Sequence, residues 1–484
     1  MSESCDLDAL AARRLMSNKQ LSPVELLESC IQRIEQVDGA VNAVIARSFE
    51  RARSEARAAE AAILSGEPLG VLHGLPLGVK DLDVTQGLRT TFGSLIFADN
   101  VPTADERIVA ALREAGAIVI GKTNTSEFGA GANTVNKVYG ATVNPFDTEL
   151  SCAGSSGGSA VALATGMATL CTGSDTGGSL RTPASFCGVV SIRATPGLVS
   201  SERRGIGLST FGVQGPMART VADASLMLSA MASDDHRDPL AAPVDPRQFE
   251  QIGEVDLSKL RVAFSEDLGF APVDNGVRRV FRERVAQFAH LFGESGNKDP
   301  QMSTASRVFW LIRGVHFLAA HAEHYTEHAD LLGPNVTSNV QAALTMSASE
   351  IAWAYGESTK IYRDFQRFFD DVDVLICPTA AVPPFPVTQR FCDEINGEKL
   401  ENYIKWVDIA AGITLTGHPV VQLPCGLGPT GMPFGIQVVG SRLHSERRVI
   451  AVAAALERYF RDTGDLARPV PDIVSLSSPT AASN

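Results

Sequence analysis

Two runs, GSSGGSAVALATG at 154–166 and GSDTGGSLRTPASFCGVV at 173–190, decide how this chain is read. Each opens with Gly and Ser and then turns apolar or helix-forming, as a tight turn leading into a buried element does; a linker of low complexity has no such second half. Upstream, short apolar runs such as LPLGVKD and AIVIGK alternate from Val71 onward with helical segments such as ERIVAALREAG. Near the other end VDVLICPT, VVQLPCGL and PFGIQVVG return to the same strand texture. Strands alternating with helices predict an α/β fold with one sheet built from both halves of the chain.

The flanking regions divide around that core. Residues 1–62 read as helices: Ser22-Pro23 supplies an N-cap and first-turn proline, apolar residues recur through Val37, and the Ala/Arg/Glu-rich stretch from Val44 continues the helical reading. Residues 63–240 hold the two Gly-Ser runs. Residues 241–370 contain a strand at 260–265 and are mainly helical from 275, with the aromatic patches FWLIRGVHF, WAYGES and YRDFQRFF, a variable cap on the substrate side of a pocket. Residues 371–465 return to the sheet and close on a helix at about 445–460, and 466–484 reads as a flexible tail. The whole is expected to form one compact domain.

Bulk properties narrow the function. A 484-residue chain with 44% hydrophobic and 20% charged side chains is ordinary for a soluble globular protein. A net charge of −13 argues against nucleic acid or an anionic membrane as a partner, because either needs a clustered basic face. Eight scattered cysteines without a CxxC pair read as reduced thiols. The N-terminus lacks a basic and apolar leader, and no apolar run approaches the roughly 20 residues that span a bilayer, so a cytoplasmic protein is expected.

A serine hydroxyl becomes a nucleophile only by giving its proton to an uncharged base. The histidines offer little: His316, His321, His324 and His328 lie on a helical stretch at mixed spacing, outside any nucleophile elbow or HExxH motif. Lys80 ends the apolar run Leu75-Pro76-Leu77-Gly78-Val79, which carries it inward. Desolvation that lowers a lysine from about 10.4 to about 7–8 is worth roughly 3–5 kcal/mol and leaves a neutral amine. Ser179 follows Gly177-Gly178, residues able to aim several backbone N–H groups at one point, as an oxyanion hole requires; losing one such donor costs about 10²–10³-fold in rate. Spacing alone leaves other readings open: a lysine that snorkels or pairs with Asp81, and serines that merely cap helices.

Taken together, the two runs and the upstream GLPLGVKD closely resemble the amidase signature family. GKTNTSEFG at 121–129, GPMARTVADA at 215–224, CPT at 377–379 and LPCGLGPTGMPFGIQVVG at 423–440 extend the likeness over most of the chain; residues of about 240–370 do not match. The resemblance implies a central mixed twisted sheet covered by helices on both faces. It implies a Ser-cisSer-Lys triad in which Lys80 is the base, Ser155 a cis-peptide serine that bridges, and Ser179, 24 residues further on, the acylated nucleophile. It implies oxyanion donors at Thr176, Gly177, Gly178 and Ser179, support from Ser156 and Asp175, and Arg181 as an anchor for the helix or a nearby carbonyl. Gly129, Ala130 and Gly131 correspond to a segment lining the acyl side of the pocket. Two departures stand out: Cys152-Ala153-Gly154 where two glycines are usual, which puts a thiol near the substrate site, and Ile192-Arg193-Ala194-Thr195 where the family has Leu-Lys-Pro-Thr.

The implied activity is hydrolysis of a linear amide through an acyl-enzyme, with no metal or organic cofactor. Phe309, Trp310, Phe317, Trp353 and Tyr355 point to a small hydrophobic or aryl amide as substrate, with carbamates, anilides and esters as variants. Two alternatives accompany this reading: the glutaminase A subunit of a tRNA-dependent amidotransferase, and an inactive scaffold of the same fold. YIKWVDIAAGITLTGHPVVQLPCG resembles stand-alone amidases more than partner-docking subunits. The expected partners are a small-molecule amide and a second copy of the chain in a homodimer.

Overall fold

Ser22 starts a helix as its sequence predicts. Its Oγ accepts from the N–H groups of Val24 and Glu25 while the Glu25 carboxylate accepts from the Ser22 N–H, and Pro23 occupies the first turn. In the computed structural model, which describes residues 3–442 and 445–477, α1 (Ala9–Ser17) and α2 (Pro23–Val41) form this N-terminal layer. The helical reading from Val44 is corrected. Asn42 turns left-handed at φ 55° and ends α2, and Asp38 Oδ1 takes the N–H groups of Ala43 at 2.7 Å and Val44 at 3.0 Å. The chain therefore leaves extended as β1 (Val44–Arg47), and α3 (Phe49–Ser65) begins only afterwards.

The sheet has eleven strands: β1, β2 (Pro76–Lys80), β3 (Ile118–Thr123), β4 (Leu170–Asp175), β5 (Val190–Arg193), β6 (Val213–Ala218), β7 (Arg261–Phe264), β8 (Glu294–Asn297), β9 (Val374–Pro378), β10 (Val420–Leu427) and β11 (Pro433–Gly440). Their spatial order is β1-β3-β2-β4-β6-β5-β10-β11-β9-β7-β8, so both halves of the chain contribute to one mixed sheet, flanked by helices. β2 runs parallel to both β3 and β4, and every residue of β2 and β3 is buried, which explains their near-continuous apolar runs. β8 was not expected within a helical stretch. It is a fully exposed edge strand of Glu, Ser, Gly and Asn, and so carries no hydrophobic pattern to read.

The two Gly-Ser runs enter buried helices. The first turns into α4 (Gly157–Ala164), every residue of which is buried; the second leaves the end of β4 and turns into α5 (Arg181–Phe186). The region 305–368 folds as α6 (Ala305–Glu327), α7 (Pro334–Leu344) and α8 (Ala348–Phe368). α9 (Asp408–Thr416) packs on α6, and α10 (Glu446–Arg461) covers β10 and β11. Of the expected tail, Leu466 and Leu476 are buried and Ile473–Ser477 is helical; residues 478–484 lie outside the described residues. No helix among the described residues is long and apolar enough to cross a membrane. All eight cysteines are free thiols, and all but Cys392 are buried.

Candidate active site

The end of β2 delivers Lys80 into the interior. The side chain is fully buried, and its Nζ lies 2.8 Å from Ser155 Oγ, 2.7 Å from Ser156 Oγ and 2.9 Å from Ser174 Oγ. Burial pushes the amine down to about 7, against the opposing pull of Asp83 and Asp175. Three hydroxyls surround it, and among the described residues no carboxylate is in contact. The backbone N–H of Lys80 donates to Thr172 Oγ1 at 2.8 Å, which in turn donates to Asp83 Oδ2 at 2.5 Å. Ser174 lies two residues beyond Thr172 on β4, on the same face of that strand.

Ser155 precedes α4, and the Gly154–Ser155 peptide bond is cis. Ser179 sits where β4 turns into α5, half-buried, and both serines line one cavity of about 400 Å³ together with Ser174 and Thr176. Asp175 shapes the turn between them. Its Oδ1 accepts the Gly178 N–H at 2.9 Å and its Oδ2 the Leu180 N–H at 3.1 Å, while Arg181 grips both oxygens at 3.0 Å and Arg193 reaches Oδ1 at 3.1 Å. Burial acts to raise this carboxyl, but Arg181 and Arg193 outweigh it and hold it well below the usual carboxylate range. Arg181 also donates to Ala410 O, Gln437 Oε1 and Thr414 Oγ1 at 2.7–2.9 Å, so it ties α5 to α9 and β11, and it is absent from the cavity wall.

Several expected positions are corrected by this geometry. The Gly178 N–H is taken by Asp175, which narrows the expected oxyanion donors to Thr176, Gly177 and Ser179; among the described residues these three N–H groups make no hydrogen bond. Gly178 is needed for shape instead: at φ 115° a Cβ would sit 2.8 Å from Ala410 Cβ. Gly129 lines the cavity, where a Cβ would come 3.4 Å from Ser155 Oγ; Ala130 is buried behind it in the apolar cluster that includes the wall residue Phe317, and Gly131 abuts the Asn335 amide. Cys152 is no part of the cavity; it is fully buried, with Sγ 3.2 Å from Thr142 O, and burial pushes its thiol up to about 12. Of the aromatic patch, Phe317 lines the cavity and Phe309 backs Gly177, whereas Trp310 lies elsewhere and Trp353 and Tyr355 are exposed.

Ser174, Asp83 and Arg193 were missed. Their signal was the alternation of β4 for Ser174; Arg193 was noted only as a departure from the family pattern. Two carboxyl groups also line the cavity: Gln214 Nε2 bridges Asp83 Oδ1 at 3.0 Å and Glu106 Oε1 at 2.6 Å, and burial together with Asp83 pushes Glu106 up to about 8. Leu82, Phe92, Phe128, Ile206 and Val213 give the cavity its apolar walls. Among the described residues no group of three His, Cys, Asp or Glu is placed to hold a metal.

The mixed eleven-stranded sheet sets a fully buried lysine against a cis serine, and that serine shares one cavity with a serine at a glycine turn. A profile described as Amidase matches residues 25–449, and the chain belongs to the amidase signature family. It is 32% identical to an acylamidase of Rhodococcus erythropolis over 93% of this chain and 95% of that one. It is 34% identical to the A subunit of the glutamyl-tRNA(Gln) amidotransferase of Picosynechococcus sp., over 88% of this chain and 93% of the relative. Among solved structures, a bacterial aryl acylamidase of the amidase signature family superposes with a TM-score of 0.84 at 27% identity, covering 93% of this chain and 96% of that one. The chain is an amidase, an enzyme of the hydrolase class.

Proposed function

We propose that this amidase cleaves a small amide through an acyl-enzyme on Ser179. Neutral Lys80 takes a proton from Ser155 as Ser155 takes one from Ser179, and Ser179 Oγ bonds to the carbonyl carbon. The N–H groups of Thr176, Gly177 and Ser179 receive the oxyanion. The C–N bond then breaks as the relay returns the proton to the leaving amine, and water repeats the sequence to release the acid. Ser156 and Ser174 hold the amine of Lys80, and Asp175 with Arg181 holds the turn that presents Ser179. The observation that carries this reading is the 2.8 Å contact between a fully buried Lys80 and Ser155, on the cavity that Ser179 also lines.

The apolar walls around Phe92, Phe128 and Phe317 favour a hydrophobic or aryl amide, and the acylamidase relative supports the same class. Carbamates, anilides and esters fit the same chemistry. A second reading follows from the amidotransferase relative: a component that hydrolyses glutamine for a partner. Purified protein assayed alone on aryl amides and on glutamine separates the two. Turnover of aryl amides, with fluorophosphonate labelling abolished by Ser179→Ala, supports the hydrolase; activity on glutamine only, or only with added partner, sinks it.

A further inference from the structure

One face of α6 forms a wall of the cavity. Arg313, His316, Phe317, Ala320 and His321 line it at helical spacing, and one turn earlier Phe309 lies where a Cβ on Gly177 would come 2.9 Å from its Cζ. Four residues of helix rise about 6 Å, so Arg313 stands about one turn along α6 from the turn that carries Ser179.

Arg313 is only 6% exposed, yet among the described residues it has no carboxylate in salt-bridge contact. Its Nε donates to Asn339 Oδ1 at 3.3 Å and its Nη2 to Tyr403 Oη at 2.8 Å, both uncharged acceptors, and its guanidinium lies over the Phe317 ring at 4.5 Å. Nη1 has no acceptor among the described residues. The other cavity arginines differ: Arg204 pairs with Asp238 at 2.9 Å and Arg203 with Glu106 at 3.6 Å. The neighbouring histidines supply no counter-charge, because an imidazole is neutral or cationic; burial, with Arg313 adding to it, pushes both His316 and His321 down to about 4. Asp83 and Glu106 are engaged with Gln214 and with Arg203. A buried guanidinium facing a cavity without a counter-charge is unfavourable until an anion arrives.

We infer that Arg313 receives an anionic group of the substrate, so that the amide this enzyme cleaves carries a carboxylate several bonds from its scissile carbonyl. A planar guanidinium with free N–H donors suits a carboxylate, and the Phe317 and Phe128 rings hold the chain between the two ends. The inference rests on the assignment of Ser179 as nucleophile and narrows its substrates to amides that also carry a free carboxylate.

The test uses two alkyl fluorophosphonates of equal chain length, one ending in methyl and the other in carboxylate, and reads the ratio of their rates of Ser179 labelling. In the full-length protein the carboxylate probe is expected to react at least tenfold faster; Arg313→Gln brings the ratio to about one, and Arg313→Lys keeps an intermediate preference. Because both probes meet the same variant, general damage to the fold cancels in the ratio. A wild-type ratio of one or less, or a ratio that Arg313→Gln leaves at its wild-type value, overturns the inference while leaving the hydrolase reading intact. No labelling by either probe, or labelling that survives Ser179→Ala, overturns the hydrolase reading and the inference with it.

Discussion

Lys80 and Lys122 lie on neighbouring parallel strands, β2 and β3, and both are completely buried, yet the protein treats them differently. Lys80 Nζ meets the hydroxyls of Ser155, Ser156 and Ser174. Lys122 Nζ donates to the Asp83 carbonyl and, at 2.9 Å, to Thr85 Oγ1, with Asp81, Asp83 and Glu106 about it. Burial pushes both amines down, but four carboxylates, Asp81, Asp83, Glu106 and Asp105, pull Lys122 back and only Asp83 and Asp175 act on Lys80. The partners also differ in kind. A hydroxyl can donate as well as accept and so can serve an uncharged amine, whereas a carbonyl only accepts and rewards a donor. Burial alone therefore does not single out a base; under the proposed mechanism, burial among hydroxyls does.

The strongest way to break this contrast is to replace each lysine by methionine. Lys80→Met is expected to lower kcat/KM by about 10⁴-fold or more, with a melting temperature no lower than the wild type, because it removes a dehydrated amine and leaves only hydroxyls that can bond one another. Lys122→Met is expected to destabilise by about 3 kcal/mol, because it strands a carbonyl and neighbouring carboxylates. Thermal unfolding and steady-state kinetics on one aryl amide read both. A large stability loss at Lys80, or a 10⁴-fold rate loss confined to kcat at Lys122, would reverse the roles assigned to them.

The pH profile sharpens the same point. The proposed mechanism needs Lys80 unprotonated, and burial pushes its amine down to about 7, so kcat/KM should rise about tenfold per pH unit below about 7 and level off above it. Asp175, held far below that range, adds no limb between pH 4 and 9. A profile that falls through pH 7 with rising pH would mean that the reactive form carries the charge, contrary to a lysine base.

The difference between these two lysines was only half legible in the sequence. Lys80 and Lys122 both end or interrupt buried apolar runs, LPLGVKD and AIVIGK, and pattern alone cannot say which amine is neutral. The resemblance to amidases implies Lys80 as the base. The sheet was readable because strands buried on both faces are near-continuous apolar runs, whether parallel like β2 and β3 or antiparallel like β10 and β11, and Ser22 was readable because capping is local. β1 escaped because its start depends on Asn42 turning left-handed and on Asp38 reaching forward to Val44, and β8 because an exposed polar edge has no pattern. At the site, Ser174, Asp83 and Arg193 escaped because their roles depend on contacts between strands, and Cys152 was misplaced because adjacency in sequence does not set which side of a turn a thiol faces.

Ser174 tests the hydroxyl ring with a smaller change. Its Oγ accepts from Lys80 Nζ at 2.9 Å, a bond stronger to the ammonium than to the amine. Ser174→Ala should therefore move the rising limb of the pH profile to lower pH by about one unit and lower the plateau a few-fold, as a weaker base does. A limb that moves upward would mean that Ser174 chiefly donates to a neutral amine, which would sharpen the contrast further.

The smallest effect belongs to the matching hydroxyl at the other lysine. Thr85→Val removes one acceptor from Lys122 and keeps the side chain's shape, so it should cost about 1 kcal/mol of stability in thermal or urea unfolding. Its pH–rate limb should stay within about 0.2 units of the wild type, because Thr85 touches Lys122 and not the hydroxyls around Lys80. The two amines are nevertheless joined through one residue: the Asp83 carbonyl accepts from Lys122, and the Asp83 carboxylate accepts from Thr172, the acceptor of the Lys80 backbone N–H. A limb displaced by Thr85→Val as far as by Ser174→Ala would show that a change at Lys122 reaches Lys80 through Asp83, and strut and base would then have to be treated as one coupled pair.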